Sequence, residues 1–322
     1  MRILITGGSG FIGTNFIEKI KLNNNEILNI DIKKPNIIEH HKYWLKCNIL
    51  DKSYLNNVIT QWNPDYVLHL AANTSTEGNS LEDYKENTVG VENLLSILAG
   101  LESIKKIIIT SSQYVHQKNE QPISDTDFFP YTVYGESKKI TELKVRNYSN
   151  QLPWTIIRPV NIWGPYSEVY AENLWRIMNE GLYVHPGKQK VIRSYGYVGN
   201  VVDQIYKLFY IEPELTNEQV YYVGDKPINL LELVNKFSNA INGNNIKIVP
   251  RIIIKILAEF GAVLAKINVN FPMNRNRYEN MIYDNPAPME KTFALLGKPQ
   301  ISIDEGVEKS INWYKNVYLE DR

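Results

Sequence analysis

Three features of the sequence predict an α/β fold, a doubly wound parallel sheet followed by a smaller mixed α/β C-terminal lobe. Short apolar runs alternate with helical patterns through the first half, which is the rhythm of parallel strands joined by crossover helices. The first run, Ile3-Leu4-Ile5, leads straight into the glycine-rich Thr6-Gly7-Gly8-Ser9-Gly10-Phe11-Ile12-Gly13 and then into a helical pattern. After Pro159 the alternation loosens.

In chain order, apolar runs place strands near Ile3, Ile27, Tyr43, Tyr66 to Leu70, Ile107 to Thr110 and Trp154 to Ile157. Between them the patterning predicts helices over Phe11 to Leu22, Lys52 to Gln61, Leu81 to Leu98 and Tyr134 to Tyr148. Six strands in that rhythm match a Rossmann fold, whose ligand binds at the C-terminal ends of the strands. Beyond Pro159 helices are expected at Tyr170 to Glu180, Val201 to Ile211, Leu230 to Ile241, Arg251 to Ile267, Met289 to Leu296 and Asp304 to Val317. One clear strand, Gln219 to Val223, interrupts them. The expected division is a dinucleotide-binding domain over 1–165, with part of 191–225 returning to it, and a mainly substrate-binding lobe over 166–322. Asn23-Asn24-Asn25 and Asn242-Gly243-Asn244-Asn245 read as loops.

The chain has 322 residues and is 43% hydrophobic, enough for a large core. Its 35 basic and 35 acidic residues cancel, so no overall basic field recruits nucleic acid. Cys47 is the single cysteine, which excludes an intramolecular disulfide and suits a buried apolar position. Met1-Arg2 leads directly into the first strand, so no signal peptide is expected and the cytoplasm is the expected compartment. Ile252 to Ile267 is nearly all apolar but too short to span a bilayer. Its charges, Lys255, Glu259 and Lys266, share one helical stripe, leaving the rest to pack against the protein or a second subunit. Peripheral membrane contact is the lesser alternative. No metal site is expected: His40-His41 reads as a solvated loop and His185-Pro186-Gly187 as a turn.

The glycine loop follows a strand and opens a helix, where free N–H groups and the positive dipole end would attract a pyrophosphate. Asp31, at the end of the next apolar run, stands about 20 residues on, where a carboxylate accepts from a ribose 2′-hydroxyl. Tyr134 and Lys138 are spaced i, i+4 and share a helix face. A tyrosine of ordinary pKa, about 10, needs adjacent positive charge to act as a base at neutral pH. Ser111 and Ser112 follow the strand ending at Thr110, placing hydroxyls at the ligand end of the sheet.

These motifs together resemble an extended short-chain dehydrogenase/reductase of the NAD-dependent epimerase/dehydratase family, over nearly the whole chain. Thr6 to Gly13 matches the family's T-G-x-x-G-x-x-G, and His69-Leu70-Ala71-Ala72 resembles the segment beneath the nicotinamide. Asn87 opens Asn87-Thr88-Val89-Gly90-Val91-Glu92-Asn93-Leu94-Leu95, similar to N-V-x-G-x-x-N-L-L, and Ser111 to Gln117 resembles S-S-x-x-V-Y-G. The resemblance implies a catalytic set of Ser112, Tyr134 and Lys138. It implies cofactor contacts from Gly7, Gly10, Phe11, Ile12, Gly13, Asp31, Asn48, Ile49, Leu70, Ala71, Ala72, Asn87 and Ser111, besides Tyr134 and Lys138. Asn161, in Arg158-Pro159-Val160-Asn161-Ile162-Trp163-Gly164-Pro165, is placed near substrate by similarity to R-P-x-N-x-Y-G-P. Thr74, Gln113 and Tyr114 join it as expected substrate contacts, with Arg193, Arg275 and Arg277 as candidate diphosphate ligands. Asn200 replaces the family's usual aspartate and is expected to cap the next helix.

The implied cofactor is NAD, with NADP the alternative; Asp31 favours NAD because its carboxylate repels a 2′-phosphate. The implied partner is a nucleotide-diphosphate sugar in polysaccharide biosynthesis, and a homodimer follows family practice. Gln113 and Tyr114 stand where sugar 4,6-dehydratases carry an Asp-Glu pair, which disfavours dehydration, and Tyr114 replaces the glutamate usual in uronic-acid decarboxylases. His116 and Gln117 replace the usual tyrosine and glycine, so an unusual pocket wall is expected. The leading reading is a sugar epimerase working through a keto intermediate, at C4. Alternatives are a ketosugar 4-reductase, a steroid or lipid-alcohol dehydrogenase, and a non-catalytic NAD-binding regulator.

Overall fold

The computed structural model describes residues 1–118, 122–265, 271 and 273–320. Seven strands form one parallel sheet: β1 (Arg2–Thr6), β2 (Glu26–Asp31), β3 (Trp44–Lys46), β4 (Tyr66–His69), β5 (Lys106–Thr110), β6 (Trp154–Pro159) and β7 (Gln219–Val223), in the order β7-β6-β5-β4-β1-β2-β3. The first six fall where the apolar runs place them. The seventh is the strand expected in the C-terminal half, and it joins the sheet by pairing with β6, Gln219 beside Thr155. The chain direction across the sheet reverses between β1 and β4, and such a switch point opens a crevice for ligands.

Alternation along the buried strands divides the core into two layers. Ile3 and Ile5 pack on one face with Phe16, Ile17 and Ile20 of α1 (Phe11–Ile20), while Leu4 and Ile30 pack on the other with Leu55 and Ile59 of α2 (Lys52–Trp62) and Leu94 of α3 (Val91–Leu98). Helix α4 (Val133–Arg146) completes the second layer through Val145. The single helix expected over Leu81 to Leu98 is instead a 3-10 turn at Leu81–Tyr84, a π turn at Glu86–Gly90 and then α3. The Ser80–Asp83 capping box fixes the start, and the widened turn carries Asn87, which is anchored from outside the helix.

The C-terminal lobe contains α5 (Val198–Tyr210), α6 (Leu230–Asn242), α7 (Arg251–Ala265), α8 (Arg275–Ile282), α9 (Glu290–Leu296) and α10 (Ile303–Trp313). The ends expected for α7, Lys266 and Ile267, lie outside the described residues. Helix α8 and three two-stranded ladders were not expected; the ladders join Asn161–Trp163 to Tyr195–Tyr197, Ile192–Arg193 to Ile228–Asn229 and Val184–Pro186 to Lys247–Val249. Strands of two or three residues carry too little periodicity to read. An aromatic cluster centres the lobe, with Phe237 5.0 Å from Trp163 and 5.7 Å from Trp175 between ring centroids.

Two histidine expectations are corrected. His40 is fully buried in a 3-10 turn, with its Nε2 2.6 Å from Glu18 Oε1, so an ionic partner from α1 draws it inward from the expected solvated loop. His185 sits in a strand pairing with Ile248, and the turn follows at Gly187. Cys47 is buried, and burial pushes its thiol up to about 11. Among the described residues no helix is long and apolar enough to cross a membrane, and no group of three or more His, Cys, Asp or Glu could hold a metal ion.

Candidate active site

A cleft of about 1540 Å³ runs along the C-terminal ends of the strands, between sheet and lobe. The glycine loop forms its floor. Gly7 has φ 73°, and a Cβ there would lie 2.6 Å from the Ala71 nitrogen; a Cβ on Gly13 would lie 2.5 Å from Gly8 Cα. Any side chain at either position would force the loop open. A Cβ on Gly10 would meet only the Gly7 carbonyl at 3.3 Å, and Gly10 caps α1 without a side-chain bond to the first-turn N–H groups. Those donors are thereby left to an anion, which fits a dinucleotide pyrophosphate. Asp31 ends β2 beside the loop, accepting from the Ser9 nitrogen at 3.0 Å and the Lys33 nitrogen at 2.9 Å. Thr6 Oγ1 lies 2.7 Å from His69 Nδ1, tying β1 to β4, and burial pushes His69 down to about 3, so it stays neutral.

Helix α4 carries the second half of the site. Thr132 caps it by accepting from the Gly135 nitrogen, which fixes Tyr134 in the first turn. Lys138 follows one turn later and donates to the Thr110 carbonyl at 2.9 Å, reaching across to the end of β5. Ser112 lies just past that end, its Oγ accepting from the Tyr114 nitrogen at 3.2 Å. Burial raises Tyr134 to about 12, while hydrogen bonding with Ser112 opposes the rise. Burial likewise lowers Lys138 to about 8 against the attraction of Glu142. The Tyr134 ring is held by Tyr114, edge-on at 5.7 Å, and by Tyr84 at 6.0 Å.

The sequence reading missed what holds α4 in place. Glu142, one turn beyond Lys138, is fully buried and accepts from Ser111 Oγ at 2.6 Å, Arg158 Nε at 2.7 Å and Arg158 Nη2 at 2.8 Å. Arg158 also donates to the Tyr222 hydroxyl and the Asp125 carbonyl, and its Nη1 lies 2.8 Å from His116 Nε2. The i, i+4, i+8 spacing of Tyr134, Lys138 and Glu142 was the available signal. His116 is therefore corrected from pocket wall to buried support, because the guanidinium behind the sheet end needs a neutral acceptor; burial pushes it down to about 4.

Most expected site residues line the cleft: Gly7, Gly10, Phe11, Ile12, Gly13, Asp31, Asn48, Ile49, Leu70, Ala71, Ala72, Thr74, Ser111, Ser112, Tyr114, Tyr134, Lys138, Asn161 and Arg277. Four do not. Asn87 is buried behind the wall, donating to the Asn73 carbonyl at 2.9 Å and Ser137 Oγ at 2.8 Å. Gln113 is buried off the cleft. Arg193 is buried too, donating to the Tyr283 carbonyl at 3.1 Å. Arg275 is exposed and paired with Glu259. Asn200 is not the cap expected of it. It lies inside the first turn of α5, where it donates to Asp225 Oδ1 at 2.8 Å and accepts from the Ile301 nitrogen. Asp225 takes over at the helix start by accepting from the Tyr197 nitrogen at 2.7 Å.

Residues 3–224 match the model of the NAD dependent epimerase/dehydratase family. The chain belongs to this family. The matched segment begins at the second residue of β1 and ends one residue past β7, so it takes in all seven strands save Arg2, the glycine loop and the Ser112, Tyr134 and Lys138 set. NAD is the cofactor of the epimerase/dehydratase family, and the uncapped start of α1 suits it. Among similar proteins is an N-acetyl-alpha-D-glucosaminyl-diphospho-ditrans,octacis-undecaprenol 4-epimerase of Escherichia coli, 29% identical over 252 residues, covering 74% of this chain and 72% of that protein. A UDP-N-acetyl-alpha-D-glucosaminuronate decarboxylase of Bacillus cytotoxicus is 25% identical over 340 residues, covering 98% of each chain. The crystal structure of UDP-glucuronic acid 4-epimerase from Bacillus cereus, in complex with UDP-glucuronic acid and NAD, superposes with a TM-score of 0.76 at 19% identity, covering 99% of this chain and 100% of that one.

Proposed function

We propose that this member of the family is an NAD-dependent 4-epimerase of a hexose carried on a diphosphate, the nucleotide-activated sugars being the first class to test. The observation that carries the reading is the meeting of Ser112, Tyr134 and Lys138 in one cleft with the glycine loop. NAD, when bound, supplies the acceptor and donor of hydride. Ser112 orients the sugar hydroxyl, and Tyr134 removes its proton as the carbonyl forms, then returns one on reduction. Burial holds the phenol near 12, so its ionisation depends on positive charge close by in the cleft. Lys138, near 8, is mostly protonated at neutral pH and lends part of that charge while the Thr110 carbonyl fixes its position.

Gln113 and Tyr114, the two residues after Ser112, support epimerisation over 4,6-dehydration, because neither supplies the carboxyl pair that would protonate the leaving group and remove the C5 proton. The Escherichia coli 4-epimerase to which this chain is similar supports C4. The test is to incubate the purified protein with UDP-N-acetylglucosamine, no cofactor added, and follow the anomeric signals by NMR. Appearance of the C4 epimer is expected, and Tyr134→Phe should slow it by about 10²- to 10⁴-fold while retaining NAD. Stoichiometric consumption of added NAD(P)H would replace epimerisation with net reduction.

A further inference from the structure

The far end of the cleft is built from apolar side chains, among them Leu174, Ile177, Leu233, Phe237, Ile254 and Leu257. Ile254 and Leu257 belong to α7, whose outer face continues the same apolar surface to the outside of the protein. Ile252 is 60% exposed, Ile256 61%, Phe260 54% and Val263 61%. These residues fall at i, i+4, i+8 and i+11, one continuous stripe. The opposite stripe is buried through Ile254, Ala258 and Gly261, and a Cβ on Gly261 would run into the Met273 carbonyl, so α7 lies close against the segment that walls the cleft. The Phe260 ring stands edge-on to Phe271, centroids 5.6 Å apart, and Phe271 lines the cleft. An apolar path therefore leads from the pocket, over Phe271 and Leu257, onto Phe260 and Ile256. Such a stripe left in water is costly and marks a binding surface.

Resting on the epimerase reading, we infer that the cleft accepts a sugar carried on a polyprenyl diphosphate, with the isoprenoid chain leaving along the exposed stripe of α7. The chemistry of the two ends differs in the way such a molecule requires. The sugar end holds Ser112, Tyr134 and Lys138. Asn274, Asn276 and Arg277 follow Phe271 and Met273 in the chain and line the same cleft, and their amide and guanidinium N–H groups suit a diphosphate. Beyond them the wall is hydrocarbon, and a flexible isoprenoid chain gains by covering it. The Escherichia coli relative named above for an undecaprenyl-linked substrate has the same aglycone class.

The experiment compares two substrates, UDP-N-acetylglucosamine and N-acetylglucosaminyl diphospho-undecaprenol in detergent micelles, on the wild-type chain and on an Ile256→Glu, Phe260→Glu double variant. Both substituted positions are exposed, and a thermal melt confirms that the variant folds. The expected result is wild-type turnover of the lipid-linked sugar, with kcat/KM on it lowered at least about tenfold in the variant and turnover of the nucleotide sugar unchanged. Epimerisation of the nucleotide sugar alone by the wild type would overturn the inference and leave the epimerase reading standing. Turnover of neither substrate would sink both. Equal effects of the variant on the two substrates would also overturn it, and an accompanying change in sedimentation would show the stripe to be a contact between two copies of the chain.

Discussion

Gly13 and Phe237 face the same cleft from opposite sides, yet their places have different causes. Gly13 is fixed by a short stretch of chain, the strand, turn and helix start in which a Cβ would strike Gly8. Phe237 is fixed by Trp163, Trp175 and Tyr170, all distant in sequence. The wall around the glycine loop is thus made of backbone, whose geometry local sequence dictates, and the wall opposite is made of side chains that only packing assembles. A family can keep the first wall constant while the second changes its ligand.

The largest test of this contrast lies at the junction. If local pattern alone held α4, losing Arg158 would be mild. We expect Arg158→Met to cost about 3–5 kcal/mol in chemical denaturation, because it strands the buried Glu142 carboxylate. A loss near zero would mean that α4 needs no tertiary anchor.

Acid unfolding gives an effect that samples both halves. His69 in the sheet, His185 in the lobe and His116 at the junction are each lowered by burial, to about 3, 4 and 4. The unfolded chain binds their protons first, so stability is lost as pH falls below about 6.5 toward those values. Asp225, raised by burial to about 6, works the other way between about 6 and its ordinary value of 3.8. Three histidines against one aspartate leave a net loss on the order of 4 kcal/mol between pH 7 and 5, to be read from melting temperature against pH. A rising melting temperature over that range would show that these rings take up protons in the folded state.

The smallest test separates two arginines that sequence alone could not. Arg277 lines the cleft and donates to Asn173 Oδ1 at 3.3 Å, whereas Arg275 is exposed and paired with Glu259. Arg277→Ala should raise KM about tenfold with kcat little changed, and Arg275→Ala should leave both where they are. The reverse outcome would move the diphosphate contacts to the outer side of α8.

Strands with continuous apolar runs, the glycine loop, Asp31 and the i, i+4 pair of Tyr134 and Lys138 were legible because each signal is completed within a few residues of chain. The broken helix at Leu81 to Leu98, the short ladders of the lobe and the burial of His40 and His116 were not, since each depends on a partner brought from elsewhere: Asn73 and Ser137 for Asn87, Glu18 for His40, Arg158 for His116. Sequence by itself determined the parallel sheet and the loop that opens α1, because hydrophobic period and glycine sterics act locally. Only the tertiary structure decided that Glu142 and Arg158 hold α4, that Arg277 lines the cleft where Arg193 and Arg275 do not, and that α7 turns one apolar stripe inward and leaves the other facing out. Those outcomes depend on which side chains meet across the fold, and no spacing along the chain encodes that.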